Sequence, residues 1–519
     1  MGLIQQDSRI HFVGICGIGL SAIARVLNGW GYQVTGSDLQ PSSLAVELRS
    51  EGITVLPNHQ AEHVLGAGSQ PDPSRILVVA SSAIPDGNAE LVEARRLGIP
   101  VVKRNQILGE LASGRTTIAV AGTHGKTTTT AMIAWILTDA GLDPAFIVGG
   151  IIQGLDTNAR AGQGRHFVIE ADEYDRAFLG LHPEIGVVTT LEHDHPDCYP
   201  TFEEMRQAFA QFMQQVPAGG SLIVCGEDEI AAQTAAQVLD KVDRPAVAGA
   251  APRLLTYGGG DGWDWKASNI QLGGSPTFDV SYDQEVLGTC ALQLPGRHNV
   301  LNALAALAAS REVGIEFDQA AAALTRFRGA ARRFEMKGRA GGITVIDDYA
   351  HHPTEIRATL EAARTRYPDR PIWAVFQPHT YSRTAAFMDD FATCFHDADH
   401  VLVTRIYAAR ETDTLGVSGA GLVSRMKEAD ADDGRGSRTG GSDKAPRPDV
   451  DYVDTLEAAV SVLTDRARPG EIVITMGAGD GHLIGERLLD RLEKRAPADE
   501  SLQHVNNSAE AAPCWNTYV

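Results

Sequence analysis

Short apolar runs alternate with amphipathic stretches along almost the whole chain of 519 residues. The first apolar run, at 9–14, leads into a glycine-rich turn, a helical stretch to about Leu27 and a second apolar run that ends at Asp38. Strands that alternate with helices in this way are typical of α/β proteins with parallel sheets. The same pattern predicts further strands at 76–84, 116–122, 166–172, 185–195 and 219–228.

Changes in this pattern predict three domains, at 1–112, 113–338 and 339–519. The second begins with the strand at 116–122 and continues into a long helix at 126–140, and a later helix is predicted at 296–314. The third repeats the alternation, with strands at "GITVIDDYA", "PIWAVFQPH", "HVLVTRIY" and "EIVITMGAGD". Segments 430–448 and 496–519 are poor in apolar residues, so we expect them to be mobile.

Composition narrows the class of protein. The net charge of −21 argues against binding to nucleic acid, which requires a basic surface. No apolar run is long enough to predict a membrane span. The six cysteines are scattered without a C-x-x-C pair, which argues against a disulfide framework and favours a reducing, cytoplasmic location.

A glycine-rich turn follows the first predicted strand, with Gly14, Gly17 and Gly19 at its glycine positions. Such a turn lets backbone N–H groups approach a diphosphate, and Asp38 could meet a ribose hydroxyl at the end of the second strand. The spacing is G-x-x-G-x-G rather than G-x-G-x-x-G. A dinucleotide and another diphosphate, such as a UDP-sugar, therefore both stay open, as does a packing turn without a ligand.

The stretch "AGTHGKTTTTA" at 121–131 is similar to a phosphate-binding loop. Gly125, Lys126 and Thr127 fit the end of the pattern G-x-x-x-x-G-K-[ST], whereas Val120 takes the place of its first glycine. In this context Lys126 can contact the β- and γ-phosphates, and the Thr127 hydroxyl can bind Mg²⁺. The loop therefore predicts a site for Mg·ATP.

Acidic residues follow two of the predicted strands. The stretch "VIEADEYDRAF" contains Glu170, Asp172 and Glu173, and "TLEHDHPDCYP" contains His193 and His195 among its acids. Acids at the carboxyl ends of neighbouring parallel strands converge where open α/β sheets bind ligands, and Mg²⁺ prefers such oxygen ligands. The two histidines leave a zinc or manganese site, or a purely structural role, as alternatives.

Taken together, several stretches identify the chain as a member of the Mur ligase family, and the resemblance extends from about Arg9 to about Arg491. The stretches that carry it are "GICGIGLS", "AGTHGKTTT", "EADEYDRAFL", "EHDHPDCY", "PGRHNVLNALAA", "RRFE", "IDDYAHHPTEI", "FQPHTYSRT" and "MGAGD". The resemblance implies a Rossmann-like first domain that binds the UDP part of a substrate. It also implies a central P-loop ATPase-like domain and a Rossmann-like third domain that brings the amino acid.

The resemblance further implies a reaction. ATP would phosphorylate the lactyl carboxylate of UDP-N-acetylmuramate, and L-alanine would attack the acyl phosphate, giving an amide, ADP and phosphate in peptidoglycan precursor synthesis. A recycling ligase that attaches a peptide to the same nucleotide is the nearest alternative. A regulator that binds NAD or NADP at the first glycine turn is an alternative of another class. We expect a monomer or a homodimer.

Roles for individual residues also come from the resemblance. Lys126, His195, His351 and Arg383 are the predicted catalytic residues, and Thr127, Glu173 and His195 are the predicted Mg²⁺ ligands. ATP contacts are predicted for Gly122, Thr123, His124, Gly125, Lys126, Thr127, Thr128, His298, Asn299, Asn302 and Asp348. Substrate contacts are predicted for Gly14, Gly17, Gly19, Ser21, Asp38, Tyr349 and His379. Helix capping is the alternative for the two asparagines.

Two departures from the family pattern affect these expectations. Many members carry a second arginine at the position of Thr380, which leaves Arg383 and His379 as the better candidates there. Some members carry a carbamylated lysine near the metals. No lysine lies between Lys126 and Lys241 here, so we expect that feature to be missing.

Overall fold

The described residues of the computed structural model are 4–5, 7–39, 42–66, 72–240, 251–409, 411–412, 415–435 and 448–495. They form three β-sheets accompanied by 15 α-helices, which confirms the predicted α/β class with three domains. Within these residues, no helix has the length and apolar character needed to cross a bilayer.

The first sheet is parallel and has five strands in the order β3-β2-β1-β4-β5. Its strands are β1 (Arg9–Val13), β2 (Gln33–Asp38), β3 (Thr54–Pro57), β4 (Ile76–Ala80) and β5 (Val101–Lys103). The helices of this part are α1 (Ile18–Gly29), α2 (Ser43–Ser50), α3 (Ala89–Arg96) and α4 (Arg104–Ala112), with short 3₁₀ helices at Ala61–His63 and Pro73–Arg75. The order places β1 at the centre, so its carboxyl end, where the glycine turn begins, lies between those of β2 and β4.

The second sheet has ten strands in the order β15-β14-β13-β12-β11-β10-β6-β9-β7-β8. The strands are β6 (Thr116–Ala121), β7 (Ala145–Ile152), β8 (Thr157–Arg160), β9 (His166–Glu170), β10 (Ile185–Val188), β11 (Ser221–Cys225), β12 (Arg253–Gly259), β13 (Trp265–Gln271), β14 (Thr277–Tyr282) and β15 (Glu285–Ala291). The helices are α5 (Lys126–Asp139), α6 (Phe202–Gln214), α7 (Glu229–Asp240), α8 (Arg297–Glu312) and α9 (Phe317–Arg326), with a 3₁₀ segment at Tyr174–Gly180.

Part of this second sheet departs from the predicted parallel pattern. β13, β14 and β15 pair antiparallel, and so do β7 and β8. The tight turn between β14 and β15 is made by Asp283 and Gln284, which have φ of +48° and +68°. Two successive residues with positive φ twist a hairpin in the sense that its strands require.

The third sheet has six strands in the order β16-β17-β21-β18-β19-β20, and the pairs from β17 to β20 are parallel. The strands are β16 (Glu335–Ala340), β17 (Ile343–Asp348), β18 (Ile372–Phe376), β19 (His400–Val403), β20 (Asp449–Tyr452) and β21 (Ile472–Met476). The helices are α10 (Pro353–Arg366), α11 (Tyr381–Ala386), α12 (Met388–Thr393), α13 (Gly419–Arg435), α14 (Leu456–Arg466) and α15 (His482–Arg495).

The prediction of a mobile loop at 430–448 is partly wrong. The mobile segment expected at 430–448 begins as helix, since α13 continues to Arg435. The run "EADADD" contains alanine and acidic residues that a helix tolerates. Residues 436–447 and the tail at 496–519 lie outside the described residues.

By internal packing, the chain divides into two compact units. One unit contains the described residues up to Glu335 together with His352–Pro368 and Ser382–Phe387. The other contains Met336–His351, Asp369–Tyr381 and the described residues from Met388 onward. The first unit thus holds the first two sheets, and the second holds most of the third. The domain limits at 112 and 338 stay a prediction.

Candidate active site

The phosphate loop lies between β6 and α5, and two glycines give it its shape. Gly122 has φ of +141° and Gly125 has φ of +80°, a region that side chains rarely adopt. A Cβ atom at Gly122 would lie 1.9 Å from Thr189 Oγ1, and one at Gly125 would lie 2.5 Å from Asn302 Oδ1. Both positions therefore require glycine, and the loop backbone packs directly against its neighbours.

Lys126 begins α5 and is held inside the loop. Its Nζ donates to the carbonyl oxygens of Gly122 and Thr123, at 2.5 and 3.0 Å, and lies 2.9 Å from Glu173 Oε1. Burial alone would lower the pKa of this ammonium group, but Glu173 and Glu170 raise it above its ordinary value. The loop therefore carries a fixed positive charge where phosphate oxygens would bind.

Glu173 is the buried acid of this site. Its side chain is 1% exposed, and burial raises the pKa of its carboxyl group to about 7 even beside Lys126. Among the residues that the structure describes, its Oε2 atom finds no hydrogen-bond partner. A buried carboxylate oxygen without a partner is costly, and a hard cation would satisfy it. These properties fit a Mg²⁺ ligand.

The Thr127 hydroxyl, the second predicted ligand, donates to Glu170 Oε1 at 3.0 Å. Glu170 also accepts the N–H of Gly149 at 2.6 Å, so this acid is held at the end of β9. Thr127 thus lies between the loop and the strand that precedes Glu173. An oxygen ligand at this position is compatible with the same hard cation.

His195 lies between two buried acids. Its Nε2 atom is 3.6 Å from Glu173 Oε1 and 3.7 Å from Asp194 Oδ2, and burial lowers the pKa of its imidazole. Its backbone has φ of +52°, an uncommon conformation for a non-glycine residue. A neutral imidazole on a strained backbone, beside an acid, is compatible with a metal ligand, and that role stays a prediction.

Arg383 reaches this region through Asp194. Its Nε and Nη2 atoms donate to Asp194 Oδ1 at 3.0 and 2.7 Å, and only 4% of its side chain is exposed. The predicted contact with a substrate anion therefore stays a prediction, because a protein carboxylate uses these two donors. Asp194 in turn accepts the N–H of His195 at 2.7 Å, so the ion pair also holds His195.

His124, at the tip of the loop, lies between two acids from distant parts of the chain. Its Nε2 atom is 2.8 Å from Glu192 Oε2, and its Nδ1 atom is 3.3 Å from Glu355 Oε1. Burial alone would lower its pKa, but the two carboxylates raise it to about 9. Thr354 also donates to Glu192, at 2.9 Å, which connects the start of α10 to the same acid.

A possible metal-ligand group lies at the same place. Among the described residues, His124, Glu192 and His352 bring ligand atoms within 4.8 Å of one another. The His124 ring nitrogens lie at hydrogen-bond distance from the Glu192 and Glu355 carboxylates, and the raised pKa of His124 agrees with ion pairs to both. The arrangement is therefore an ion-pair cluster, which fixes the predicted nucleotide-contacting residue His124.

Two of the predicted adenine-contacting residues, Asn299 and Asn302, are buried and joined by amide contacts. Asn299 donates to the carbonyl of Pro295 at 2.7 Å and to His298 Nε2 at 3.1 Å, and Asn302 donates to Asn299 Oδ1 at 3.2 Å. His298 itself is exposed. The cap of α8 is Gly296 and has no side-chain acceptor, so helix capping does not explain the asparagines.

Thr123, His124 and Thr128, the other predicted ATP contacts in the phosphate loop, lie close to the residues that follow β10 or at the start of α5. Thr123 Oγ1 donates to the carbonyl of Glu192 at 2.8 Å and accepts the N–H of the same residue at 2.9 Å. The N–H of His124 donates to Thr190 Oγ1 at 2.9 Å, and Thr128 is buried in the first turn of α5. The loop is therefore tied to the residues that follow β10.

The glycine turn of the first sheet contacts the end of β2. Asp38 Oδ2 accepts the N–H of Cys16 at 2.9 Å, and Gly14 has φ of +83°. Ser21 is buried, and its hydroxyl donates to the carbonyl of Ile18 at 3.0 Å. A Cβ atom at Gly19 would lie 3.2 Å from the guanidinium carbon of Arg104. The roles predicted for these residues in substrate binding stay predictions.

Sequence reasoning missed a polar cavity of about 260 Å³ within the first unit. Arg104 lines this cavity, and its Nη1 atom lies 2.7 Å from Oδ2 of Asp172. Asp172 directly precedes the buried Glu173 in the chain. The cavity is lined by Ser82, Lys103, Arg104, Asn105, Tyr174, Asp175 and Ala177. The only local signal was the basic pair Lys103–Arg104 at the end of β5, which is the position where α/β sheets bind ligands.

The remaining predicted residues lie in the second unit. The ring centroid of His351 is 5.3 Å from that of Tyr349 and 5.8 Å from that of His379. Asp348 is buried at the end of β17, and its Oδ1 atom accepts the N–H of Ala350 at 2.8 Å. The structure thus brings Tyr349, His351 and His379 together, while their functional roles stay predictions.

The strand–loop–helix unit at β6 and α5, with buried acids after neighbouring strands, defines the class of the protein. It is an α/β protein whose central domain has the P-loop nucleotide-binding architecture, accompanied by two further α/β domains. The chain belongs to the Mur ligase family. Three family models match it: the Mur ligase family catalytic domain over 9–116, the Mur ligase middle domain over 120–310, and the Mur ligase glutamate ligase domain over 332–479.

Individual relatives support this assignment over nearly the whole chain. The chain is 42% identical to the UDP-N-acetylmuramate–L-alanine ligase of Salinibacter ruber, covering 95% of this chain and 96% of the relative. The crystal structure of the UDP-N-acetylmuramate–alanine ligase of Thermotoga maritima is similar with a TM-score of 0.73 and 28% identity, covering 94% of this chain and 99% of that one. A murein peptide ligase from Psychrobacter arcticus has a TM-score of 0.66 at 28% identity, with the same two coverages.

Proposed function

We propose that this protein is an ATP-dependent ligase that joins L-alanine to the lactyl carboxylate of UDP-N-acetylmuramate, in peptidoglycan precursor synthesis. The observation that carries the proposal is the buried pair of Lys126 and Glu173 in the phosphate loop of a Mur ligase chain, 2.9 Å apart. The near-full-length similarity to the Salinibacter ruber ligase supports the choice of substrates. A cytoplasmic location agrees with the scattered cysteines.

The first chemical step would be phosphoryl transfer. A carboxylate oxygen of the substrate attacks the γ-phosphorus of ATP, the bond to the β-γ bridging oxygen breaks, and ADP leaves. Lys126 neutralises charge on the transferring group, and the loop N–H groups around Gly122 and Gly125 hold the phosphates. Glu173 and Thr127 would hold one Mg²⁺ and His195 a second Mg²⁺ near the acyl phosphate, and these ions would supply further neutralisation of phosphate charge.

The second step would form the amide. The amine nitrogen of L-alanine attacks the acyl carbon, the phosphate leaves, and the amine gives up a proton. Tyr349, His351 and His379 are the residues we propose to place the amino acid, because they cluster in the second unit. Because an acyl phosphate hydrolyses readily, the site must exclude water between the two steps.

We also propose that the cavity beside Arg104 receives the muramyl part of the substrate. Arg104 and Lys103 offer cationic donors to this cavity. Asp172, which Arg104 contacts, and Glu173 follow shortly after β9. The glycine turn around Gly14 would hold the UDP part. This arrangement would bring the substrate carboxylate toward the phosphate loop while its nucleotide end stays on the first sheet.

The test combines the purified protein with ATP, Mg²⁺, UDP-N-acetylmuramate and a panel of single amino acids and one tripeptide, and it measures ADP formation. We expect ADP release with L-alanine and a product whose mass equals that of the nucleotide plus one alanine residue. ADP release only with the tripeptide would favour a murein peptide ligase, the activity named for the Psychrobacter arcticus relative. Size-exclusion chromatography with light scattering would separate a monomer from a homodimer.

A matched pair of lysine variants tests the phosphate loop. Lys126→Ala should abolish ADP formation while the far-ultraviolet circular dichroism stays unchanged. Lys266→Ala is the control, because this lysine lies on β13 of the second sheet, and its ammonium group pairs with the exposed Asp261 at 2.7 Å. Near-normal turnover in Lys126→Ala would remove the loop from the mechanism.

A further inference from the structure

A buried carboxylate lies next to the glycine turn, outside the residues assigned above. Glu90, at the start of α3, is fully buried and faces three imidazoles. Its Oε1 atom is 2.9 Å from His63 Nδ1 and 3.5 Å from His11 Nε2, and its Oε2 atom is 3.0 Å from His59 Nδ1. We call Glu90 and these three histidines the Glu90 cluster.

Keeping this carboxylate buried requires the partners around it. Burial alone would raise the pKa of Glu90, but the interactions with His11, the Ser37 hydroxyl and His63 hold it below its ordinary value. Burial also lowers the pKa of His11, whose ring has no contact with solvent. An acid of this kind is more costly than an apolar residue of the same size, so a structural core alone does not account for it.

The Glu90 cluster is connected to the glycine turn through one side chain. The Ser37 hydroxyl donates to Glu90 Oε2 at 2.6 Å, and Ser37 is fully buried near the end of β2. The Ser37 carbonyl accepts the N–H groups of Gly14 and Ile15, at 2.9 and 3.1 Å. The next residue, Asp38, accepts the N–H of Cys16 at 2.9 Å.

The end of β2 therefore binds three successive N–H groups of the turn. These bonds fix the direction of the peptide planes from Gly14 to Cys16 and the start of α1 that follows them. A displacement of Ser37 would move all three bonds at once. The four side chains of the Glu90 cluster come from β1, the loop after β3, the 3₁₀ helix at Ala61–His63 and α3, so they hold Glu90 from several sides. Glu90 and His59 in turn contact the Ser37 hydroxyl.

We propose that Glu90 is a positioning residue for the nucleotide part of the substrate, acting through Ser37 on the glycine turn. The proposal rests on the proposed function, since it requires that the turn binds the UDP part of UDP-N-acetylmuramate. Glu90 itself touches no reacting atom. Its histidine partners keep the carboxylate in the orientation in which Oε2 accepts the Ser37 hydroxyl.

A metal site is the alternative use of three imidazoles and one carboxylate, since Zn²⁺ binds such ligands. The distances of 2.9 and 3.0 Å from His63 and His59 to Glu90 are those of hydrogen bonds. Among the described residues, the group whose ligand atoms all approach one another within 4.8 Å is the one at His124, and not this one. The Glu90 cluster is therefore held together by hydrogen bonds.

The test uses calorimetric titration of the full chain with UDP-N-acetylmuramate and, separately, with a non-hydrolysable ATP analogue. Glu90→Gln keeps the shape of the side chain and removes its charge, and Ser37→Ala removes the hydroxyl that joins Ser37 to Glu90. Ser221→Ala is the matched control. Ser221 lies at the start of β11 in the second sheet, and its hydroxyl also donates to a partly buried acid, Glu312.

We expect Glu90→Gln and Ser37→Ala each to weaken binding of UDP-N-acetylmuramate about tenfold, which is the effect of one lost hydrogen bond to a charged group. Their affinity for the ATP analogue should stay within about twofold of wild type, and the control should change neither. If Glu90→Gln fails to fold in a thermal melt, Ser37→Ala decides the question.

Four results would overturn the proposal. Unchanged nucleotide-sugar affinity in Ser37→Ala, with normal binding by wild type, would refute the positioning role alone. Equal weakening for both ligands would indicate a general structural effect instead. Stoichiometric zinc in the purified wild-type protein, measured by mass spectrometry of the metals, would replace the hydrogen-bonded cluster by a metal site. Absence of any UDP-N-acetylmuramate binding by wild type would overturn the proposed function and this inference with it.

Discussion

The ion pair at His124 predicts a specific loss of stability at high pH. In the folded protein its imidazole lies between Glu192 and Glu355, and its pKa rises from 6.5 to about 9. The folded state therefore keeps a proton that the unfolded chain releases at lower pH. This contribution to stability is fully present below pH 6.5 and is lost as the pH rises through about 9.

The size of the effect follows from the shift. Each pKa unit corresponds to about 1.4 kcal/mol, so the change from 6.5 to about 9 amounts to about 3 kcal/mol at neutral and lower pH. Replacing the imidazole by an amide, His124→Gln, should lower the free energy of unfolding by about this amount at pH 6.5. At about pH 10 the variant and the wild type should differ little, because the wild-type imidazole has lost its proton as well.

The assay is urea unfolding followed by tryptophan fluorescence, at several values between pH 6.5 and about 10, for wild type and variant. The difference between the two removes the contribution of groups that titrate equally in both proteins. His166→Gln is the control, because burial lowers the pKa of that histidine and its replacement should give a pH-independent change in this range. A constant difference for His124→Gln across the range would refute the claim that His124 carries the charge.

Three further substitutions test neighbouring parts of the site. Gly125→Ala puts a Cβ atom 2.5 Å from Asn302 Oδ1 at a φ of +80°, and should cost about 1–3 kcal/mol of stability and raise the KM for ATP, as measured by urea unfolding and ADP formation. His195→Ala should raise the Mg²⁺ concentration needed for half-maximal turnover, and an unchanged magnesium titration would contradict a ligand role. Arg383→Leu leaves the buried Asp194 carboxylate without its cation, and should destabilise the protein by about 3–5 kcal/mol in urea; a change below about 1 kcal/mol would show that Asp194 is stabilised in another way.

Apolar runs predicted the central parallel strands well, because those strands are buried on both faces. β6, for example, is buried at every position from Thr117 to Ala121 and was predicted at 116–122. Predicted strand ends were too long where polar residues take other partners. The strand predicted at 185–195 ends at Val188, since Thr189 and Thr190 turn to bind the phosphate loop through their hydroxyl groups.

The antiparallel strands β13 to β15 escaped prediction for a physical reason. In β14 the buried positions largely alternate with partly exposed ones, and β15 is exposed over much of its length. Such strands lack the continuous apolar runs that mark buried parallel strands. The turn at Asp283–Gln284 also lacks the glycine that usually signals a tight hairpin.

The predictable part of the candidate site is the part that is local in sequence. Lys126, Thr127 and Glu173 stand in short motifs that follow strands, and the structure brings them together at β6 and β9. The contacts between His124 and Glu355 and between Arg383 and Asp194 join residues 231 and 189 positions apart. No pattern along a single chain encodes such pairs, and the Glu90 cluster escaped sequence reasoning for the same reason.

The structure around His195 shows how the strain at this residue is maintained. Its carbonyl accepts the N–H groups of Cys198 and Tyr199, both at 2.8 Å, while its own N–H donates to Asp194. Asp194 is fixed in turn by Arg383, so three bonds at His195 and the Arg383–Asp194 ion pair hold a backbone conformation with φ of +52° that a free loop would abandon. The Tyr199 hydroxyl donates to the carbonyl of Glu173 at 2.7 Å, which connects the same turn to the acid beside Lys126. Imidazole and carboxylate are therefore positioned by one network. A cation held by Glu173 and Thr127 would have to replace the bonds that these two side chains make to Lys126 and Glu170.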